Sequence, residues 1–250
     1  VSGQTYDRIG RNYRGVRKPD PRIAARIDAG LGDAQTVVNV GAGTGSYEPS
    51  VCRVTAVEPS AEMIAQRPPG SASVVQASAE ELPFDDDSFD AALAIMTVHH
   101  WSDLAAGLAE MQRVAHRRIV VVTFDPEPLR DLWIVRDYFP GMLNLESDHT
   151  SGHRLAAELP EGRSLPLPVP RDCSDHFFAA LWDRPELLFD DETLGPMWVW
   201  SRLSEEAKRG GRVKLAEDLK SGRWQERYGH LLTVPELDVG LRLVVSELSE

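Results

Sequence analysis

Five short apolar runs, set apart by polar stretches and glycine turns, organise the first half of the chain: Thr36 to Val40 (TVVNV), Val54 to Glu58 (VTAVE), Ser73 to Ala77 (SVVQA), Phe89 to Met96 (FDAALAIM) and Arg118 to Phe124 (RIVVVTF). Their length and β-branched content predict strands buried on both faces, the pattern of a parallel sheet. Between the last two, Leu104, Leu108, Met111 and Ala115 recur at helical spacing after Ser102, a residue able to cap a helix start. Upstream, Ile23, Ala24, Ile27 and Leu31 mark one face of a helix that begins after Pro21. Strands alternating with helices predict a doubly wound α/β sheet. One crossover is short, because only Ser46 to Arg53 separate a glycine turn from the second strand and Pro49 interrupts them. Parallel crossovers usually take a dozen residues or more, so the helix there is expected to be cut to one or two turns.

After Phe124 the pattern changes. Prolines become frequent, and Trp133, Trp182, Trp198 and Trp200 share the region with His149, His153 and His176. Leu165 to Pro170 (LPLPVP) reads as an edge strand, since alternating proline is tolerated only there, and Leu241 to Leu248 (LRLVVSEL) as a last strand. No repeat, low-complexity tract or clear linker divides the chain, so a single domain spanning residues 1–250 is expected.

Composition narrows the function classes. At 250 residues and 42% hydrophobic the chain can bury a full core. It has no run of about 18 apolar residues, and its first residues, VSGQTYDRIGRNYRG, lack the apolar stretch of a signal peptide, so a cytoplasmic protein without a membrane partner is expected. With 39 acidic against 27 basic residues the net charge is -12, which repels a phosphate backbone and argues against a nucleic-acid partner. Cys52 and Cys173 read as free thiols. Asp172, Cys173, Asp175 and His176 superficially resemble a metal site, but they fall within five residues with no second cluster to complete the geometry, so no metal is assigned. The acidic run Asp85 to Asp87 reads as a solvated turn.

The chemistry lies after the first strand. Gly41, Gly43 and Gly45 let the backbone turn sharply and approach a ligand. A dinucleotide-binding G-x-G-x-x-G would place its third glycine where Ser46 stands, so NAD or FAD fits less well. Glu58 ends the next strand, where its carboxylate can accept hydrogen bonds from ribose hydroxyls.

Three motifs in order, NVGAGTG, AVEPSAEMI and QASAEELPFDDDSFDAALAIMTVHHW, resemble those of the class I S-adenosylmethionine-dependent methyltransferases, and in particular the type 11 family that includes ubiquinone-pathway enzymes. The resemblance covers about residues 5–125. It implies a Rossmann-like, mainly parallel sheet with a final antiparallel strand and a helical cap. The implied organisation is an N-terminal helical segment over 1–35, a cofactor-binding core over 36–125, a substrate cap over 126–200 and completion of the fold over 201–250. By the same resemblance the cofactor is S-adenosyl-L-methionine. Gly41, Ala42 and Gly43, with Asn39 and Gly45 in the same turn, would lie along its methionine and ribose parts, and Glu58, beside Pro59, would hold the ribose. Met63 would pack on the adenine, Ser78 and Ala79 would read its edge, and Met96 and Thr97 would line the sulfonium. Tyr13 and Arg17 would approach the methionine end. The chain departs from the family where Asn39 and Ser78 replace acids.

Methyl transfer from a sulfonium is an in-line displacement in which the protein chiefly positions the acceptor and excludes water. His99 and His100, after the fourth strand, are the candidate bases for an acceptor that needs one. Tyr6, Trp133 and Phe178 are the candidate acceptor contacts, although Trp133, Tyr138 and Phe139 also fit a core helix face. The expected reaction is methylation of a small molecule. A non-catalytic cofactor-binding partner and an RNA or protein methyltransferase are the alternatives.

Overall fold

The computed structural model describes residues 17–144 and 150–248. Tyr6, Tyr13 and His149 lie outside the described residues. Helix α1 (Pro21–Leu31) starts where expected: Asp20 caps it by accepting from the Arg22 amide at 2.9 Å, and proline occupies the first turn, where a missing N–H costs nothing. Its apolar face buries Ile23, Ile27 and Leu31.

Strands β1 (Thr36–Val40), β2 (Arg53–Val57), β3 (Ser73–Val75), β4 (Phe89–Ile95) and β5 (Ala115–Phe124) form the parallel part of one sheet. The sheet is completed by β6 (Arg163–Pro166) and β9 (Leu241–Glu247) in the order β3-β2-β1-β4-β5-β9-β6, with β9 antiparallel to both neighbours. The run Leu165 to Pro170 divides: its first half is the edge strand β6, whereas β7 (Val169–Pro170) pairs separately with β8 (Glu236–Leu237). Helices α2 (Ala61–Ala65), α3 (Leu104–Val114), α4 (Pro126–Asp131), α5 (Gly152–Glu158), α6 (Glu205–Ser221) and α7 (Arg223–Tyr228) fill the connections.

Three local expectations change. No helix forms between β1 and β2, because the few residues available are used by the turn at Tyr47 and the approach to β2, and Pro49 contributes no N–H. Helix α3 is capped by Asp103, whose carboxylate accepts from the Ala106 amide at 3.0 Å, and not by Ser102. Ala115 begins β5 instead of ending the helix.

Alternation along the strands builds two cores. Val37, Ala91, Leu93, Val120 and Val122 face α1 and the aromatic segments beyond β5. Val38, Val40, Ala92, Ala94, Ile119 and Val121 face Leu108, Met111 and Val114 of α3. The expected division at residue 200 is not where the packing changes: Leu215 of α6 with Trp224 and Tyr228 of α7 shares one core with Trp133, Tyr138 and Phe139. The buried apolar residues from Leu129 to Met142 and from Leu167 to Tyr228 therefore share one covering layer, whereas β6 and β9 join the sheet, and Leu155 of α5 and Leu159 just after it pack in the other core. Among the described residues no helix is long and apolar enough to cross a membrane.

Candidate active site

The strand order reverses between β1 and β4, so the loops leaving their carboxyl ends diverge and open a crevice. A groove of about 1030 Å³ occupies it, walled by the loops after β1, β2, β3 and β4 and by Arg17. Gly41 sits at φ +70°, and a Cβ there would overlap the Thr97 hydroxyl; only glycine serves. The Gly41 and Ala42 amides both donate to Val57 O, at 2.8 and 2.9 Å, which fixes the turn against β2.

Glu58, 7% exposed, ties this turn to the start of α2: Oε2 accepts from the Gly43 amide at 2.8 Å and Oε1 from the Ser60 amide at 2.9 Å. The carboxylate also lines the groove, where a ligand hydroxyl would meet an acceptor. Asn39 is 1% exposed and lines the same groove; its Nδ2 donates to Glu48 at 3.5 Å, while Oδ1 has no hydrogen-bond partner. A buried acceptor left unmatched costs about 1–3 kcal/mol, and a donor group on a bound ligand would remove that cost. An unmatched acceptor in the groove suits a ligand that brings a donor such as an ammonium, and the residues present fit S-adenosylmethionine.

Pro59, Met63, Ser78 and Ala79 line the far end of the groove, with Glu80 beside them. Burial alone would raise the Glu80 carboxyl, but backbone amides, including those of Asp103 and Ser102, and the Ser78 hydroxyl hold it below its usual range. An acid therefore stands two residues beyond the position where Ser78 replaces one.

Met96, at φ +50°, and Thr97 line the groove near its other end, together with His100. A second cavity of about 850 Å³ abuts the first and shares Arg17 and Met96 with it. Its walls are apolar, among them Phe124, Val135, Met142, Phe177, Phe178 and Met197, and His99 and Trp198 face it. The rings of His99 and His100 lie 3.9 Å apart, and each contacts Trp198, at 5.8 and 5.5 Å. Burial pushes His99 down to about 4; burial, with a further contribution from His99, pushes His100 down to about 2. Both imidazoles are neutral at physiological pH.

Arg17 stands at the junction. Its Nε and Nη2 donate to the two oxygens of Asp175 at 2.6 and 2.9 Å, and Nη2 lies 3.5 Å from the Met96 sulfur. Asp175 comes from the loop after β7, and also accepts from the Tyr47 hydroxyl at 2.9 Å.

Two assignments are corrected by this geometry. Trp133 does not reach the acceptor cavity: its indole donates to Trp182 O at 2.7 Å and stacks on Tyr228 at 5.7 Å, within the core of the covering layer. Trp133, Tyr138 and Phe139 share one core, as their alternative reading has it: across the π-type turn Ile134–Tyr138, closed by Phe139 N donating to Ile134 O at 2.9 Å, the Trp133 and Tyr138 rings meet at 5.6 Å. Gly45 does not line the groove either; it closes the turn from below, its amide donating to Ala42 O at 2.9 Å. Phe178, by contrast, is in the cavity wall. His153 lies at the protein surface near Asp125, and His176 contacts Arg184, both away from the two cavities.

Sequence reasoning missed the support beneath the turn. Arg67 donates to Glu48 at 2.5 Å and to Gly43 O at 3.2 Å, in an almost wholly buried pair. It also missed Met142, Phe124, Met197 and Trp198 as cavity walls, Tyr47, and the pairing of Asp175 with Arg17. Nothing in local periodicity marks these residues, because each acts through contacts distant in sequence.

The family described as a methyltransferase domain matches residues 38–122, the stretch from β1 into β5. The uncharacterized protein YafE of Escherichia coli (strain K12) is 40% identical over 63 residues, 24% of this chain and 30% of that protein. The ubiquinone/menaquinone biosynthesis C-methyltransferase UbiE of Citrifermentans bemidjiense is 32% identical over 142 residues, 50% of this chain and 60% of that protein. The chain thus spans at most three-fifths of the length of these curated relatives. Among solved structures, a putative methyltransferase from an antibiotic biosynthesis pathway of Anabaena variabilis ATCC 29413 superposes with a TM-score of 0.83 at 30% identity, covering 93% of this chain and 99% of that one.

Proposed function

Because the chain belongs to the class I S-adenosylmethionine-dependent methyltransferases, we propose that it methylates an uncharged, largely apolar small molecule seated in the second cavity. The observation that carries the reading is the abutment of two cavities at Arg17 and Met96: a polar groove at the switch point and an apolar chamber beside it. When bound, S-adenosylmethionine supplies an electrophilic methyl carbon on a cationic sulfur.

The rest is the work of this chain's residues. Glu58 accepts from the ribose hydroxyls, Asn39 Oδ1 accepts from the amino group, and Met63 and Ala79 pack at the adenine end. Thr97 and the Met96 backbone form the floor where the two cavities meet. Phe124, Phe177 and Phe178 exclude water, which raises the strength of every polar contact inside and removes a competing nucleophile. Charge in the chamber is balanced, since Arg17 is paired with Asp175 and burial holds His99 neutral. A charged acceptor would therefore lose its hydration without gaining a counter-ion, whereas a neutral ring system would not. His99, neutral and facing the chamber, accepts a hydrogen bond from an acceptor hydroxyl through whichever ring nitrogen is unprotonated.

Calorimetry with S-adenosylhomocysteine, followed by transfer of labelled methyl groups to a panel of neutral phenols and quinols, carboxylates, amines and RNA, tests the reading. Transfer to neutral aromatic acceptors is expected, at carbon or at oxygen. Transfer confined to RNA, protein or charged metabolites would overturn it, as would cofactor binding with no transfer to any acceptor class.

A further inference from the structure

We propose that Asp175 is a positioning residue that, from the covering layer, holds Arg17 at the partition between the two cavities in the orientation cofactor binding requires. The proposal rests on reading the groove as the S-adenosylmethionine site.

Asp175 lines neither cavity, yet it is fully buried. Its carboxylate takes two N–H groups of Arg17, in the side-on two-point geometry that fixes a guanidinium plane, and the Tyr47 hydroxyl as a third donor. The three residues come from separate parts of the chain: the segment before α1, the loop after β1 and the loop after β7. Burial and the neighbouring Asp175 charge push the Tyr47 phenol up, so it remains a donor. A second tie runs alongside: the Ser174 amide donates to Asp20 at 3.1 Å, and the Asp20 amide to the Tyr47 hydroxyl at 3.2 Å.

The segment that looked like a ligand cluster is thus divided among separate tasks. Asp172 pairs with Arg22 at 2.6 Å, the Cys173 thiol faces Asp175 O at 3.5 Å, and His176 contacts Arg184 at 3.3 Å, leaving Asp175 to reach Arg17.

Backbone strain falls at the same place. Of the four non-glycine residues with positive φ among those described, Tyr47 and Met96 flank Arg17. Such conformations are costly for residues with a Cβ and persist where the surroundings over-determine them. The Met96 sulfur is too weak an acceptor to set the guanidinium plane by itself, whereas a bidentate carboxylate does so. Without the Asp175 charge, the partly buried Arg17 cation loses a principal counter-ion, and its side chain will relax toward water and out of the groove.

The test is calorimetry with S-adenosylhomocysteine on the full chain, with amide exchange as a readout that needs no ligand. Asp175→Asn is expected to weaken binding at least tenfold although the residue does not touch the groove. Arg17→Ala should weaken it comparably, and the double variant should bind within twofold of Arg17→Ala alone. Additive losses, or an Asp175→Asn dissociation constant within twofold of wild type, would overturn the proposal. Faster exchange at the Asp20 and Ser174 amides with unchanged affinity marks a purely structural tie and overturns it equally. Should Asp175→Asn not fold, Tyr47→Phe, which removes one donor, and Asp175→Glu, which keeps the charge but shifts it by one methylene, carry the test. A loss of three- to tenfold in both supports the positioning role, and wild-type affinity in both refutes it. A wild-type protein that fails to bind S-adenosylhomocysteine removes the reading of the groove itself, a result distinct from any of these.

Discussion

The Gly43 amide donates to the Glu58 carboxylate at 2.8 Å, so the acid proposed to hold the ribose also holds the turn on which the cofactor would lie. Glu58→Ala therefore removes two functions together. Cofactor affinity should fall by about 1.5–3 kcal/mol, the range for hydrogen bonds to a charged group, and the folded state should lose about 1–3 kcal/mol as the Gly43 and Ser60 amides lose their acceptor. Glu58→Gln, which keeps one acceptor oxygen, should fall between. Calorimetry and urea denaturation measure the two effects, and a variant with normal stability would show that the turn stands without the acid.

Gly41→Ala should be worse than its single methyl suggests. The positive φ and the overlap with the Thr97 hydroxyl act together, so Thr97 or the turn must move. We expect loss of measurable S-adenosylhomocysteine binding with a native-like circular dichroism spectrum. The double variant Gly41→Ala/Thr97→Ser removes one methyl but not the hydroxyl, and should recover little.

Phe178→Ala and Trp133→Ala should separate cleanly. Phe178 is a wall of the apolar chamber, and its truncation should raise the apparent KM for a neutral acceptor while S-adenosylhomocysteine binding changes less than threefold, under about 0.7 kcal/mol. Trp133 is 2% exposed among Tyr138, Trp224 and Tyr228, and its truncation should cost about 3–5 kcal/mol of stability with no change in acceptor choice in the folded fraction. Steady-state kinetics and chemical denaturation distinguish them.

Stability should rise with pH between about 4 and 6.5, because burial lowers His99 to about 4 in the folded state, against its ordinary value of 6.5. Across that window the unfolded chain binds the extra proton, so the contribution is complete above pH 6.5 and is lost as pH falls toward 4. His100, lowered further, extends the loss to lower pH. Burial alone would raise the Asp20 carboxyl, but hydrogen bonds from the Arg22 side chain and the Ser174 and Arg22 amides hold it below its usual range; its contribution is lost only below that window. Urea midpoints at pH 7 and pH 5 should differ in the wild type and differ less in His99→Gln/His100→Gln. Equal differences would place the titration elsewhere.

What the sequence revealed follows from how far each contact reaches along the chain. Thr36 to Val40 is a strand with the predicted bounds, because a β-branched run ending in glycines has few other outcomes. The groove is also legible: Gly41, Glu58, Met63, Ala79 and Thr97 all follow strand ends, and strand ends are visible as pattern breaks. Of the apolar chamber only Phe178 is legible, since Met142 and Met197 join it after irregular turns that carry no periodicity. Trp133 shows the ambiguity directly: an aromatic outside the strand pattern serves a wall or a second core equally well, and the partner that decides, Tyr228 of α7, lies far along the chain. Asp175 escaped because its neighbours Cys173 and His176 suggested coordination, whereas its partner Arg17 precedes α1.

The place of β9 between β5 and β6 constrains the order of assembly on the ribosome. Among the described residues strand β6 has no sheet neighbour other than β9, so it leaves the exit tunnel well before the strand that will seat it. Until Leu241–Glu247 emerge, the open edge of β5 presents unpaired backbone N–H and C=O groups, and α5, which packs on β6 and β9, has no complete surface to dock on. Long-range pairing of this kind is slow and leaves a sticky edge exposed during synthesis. Pro166 and Pro168 sit on the waiting strand and just beyond it, where each withholds an amide from any stray partner.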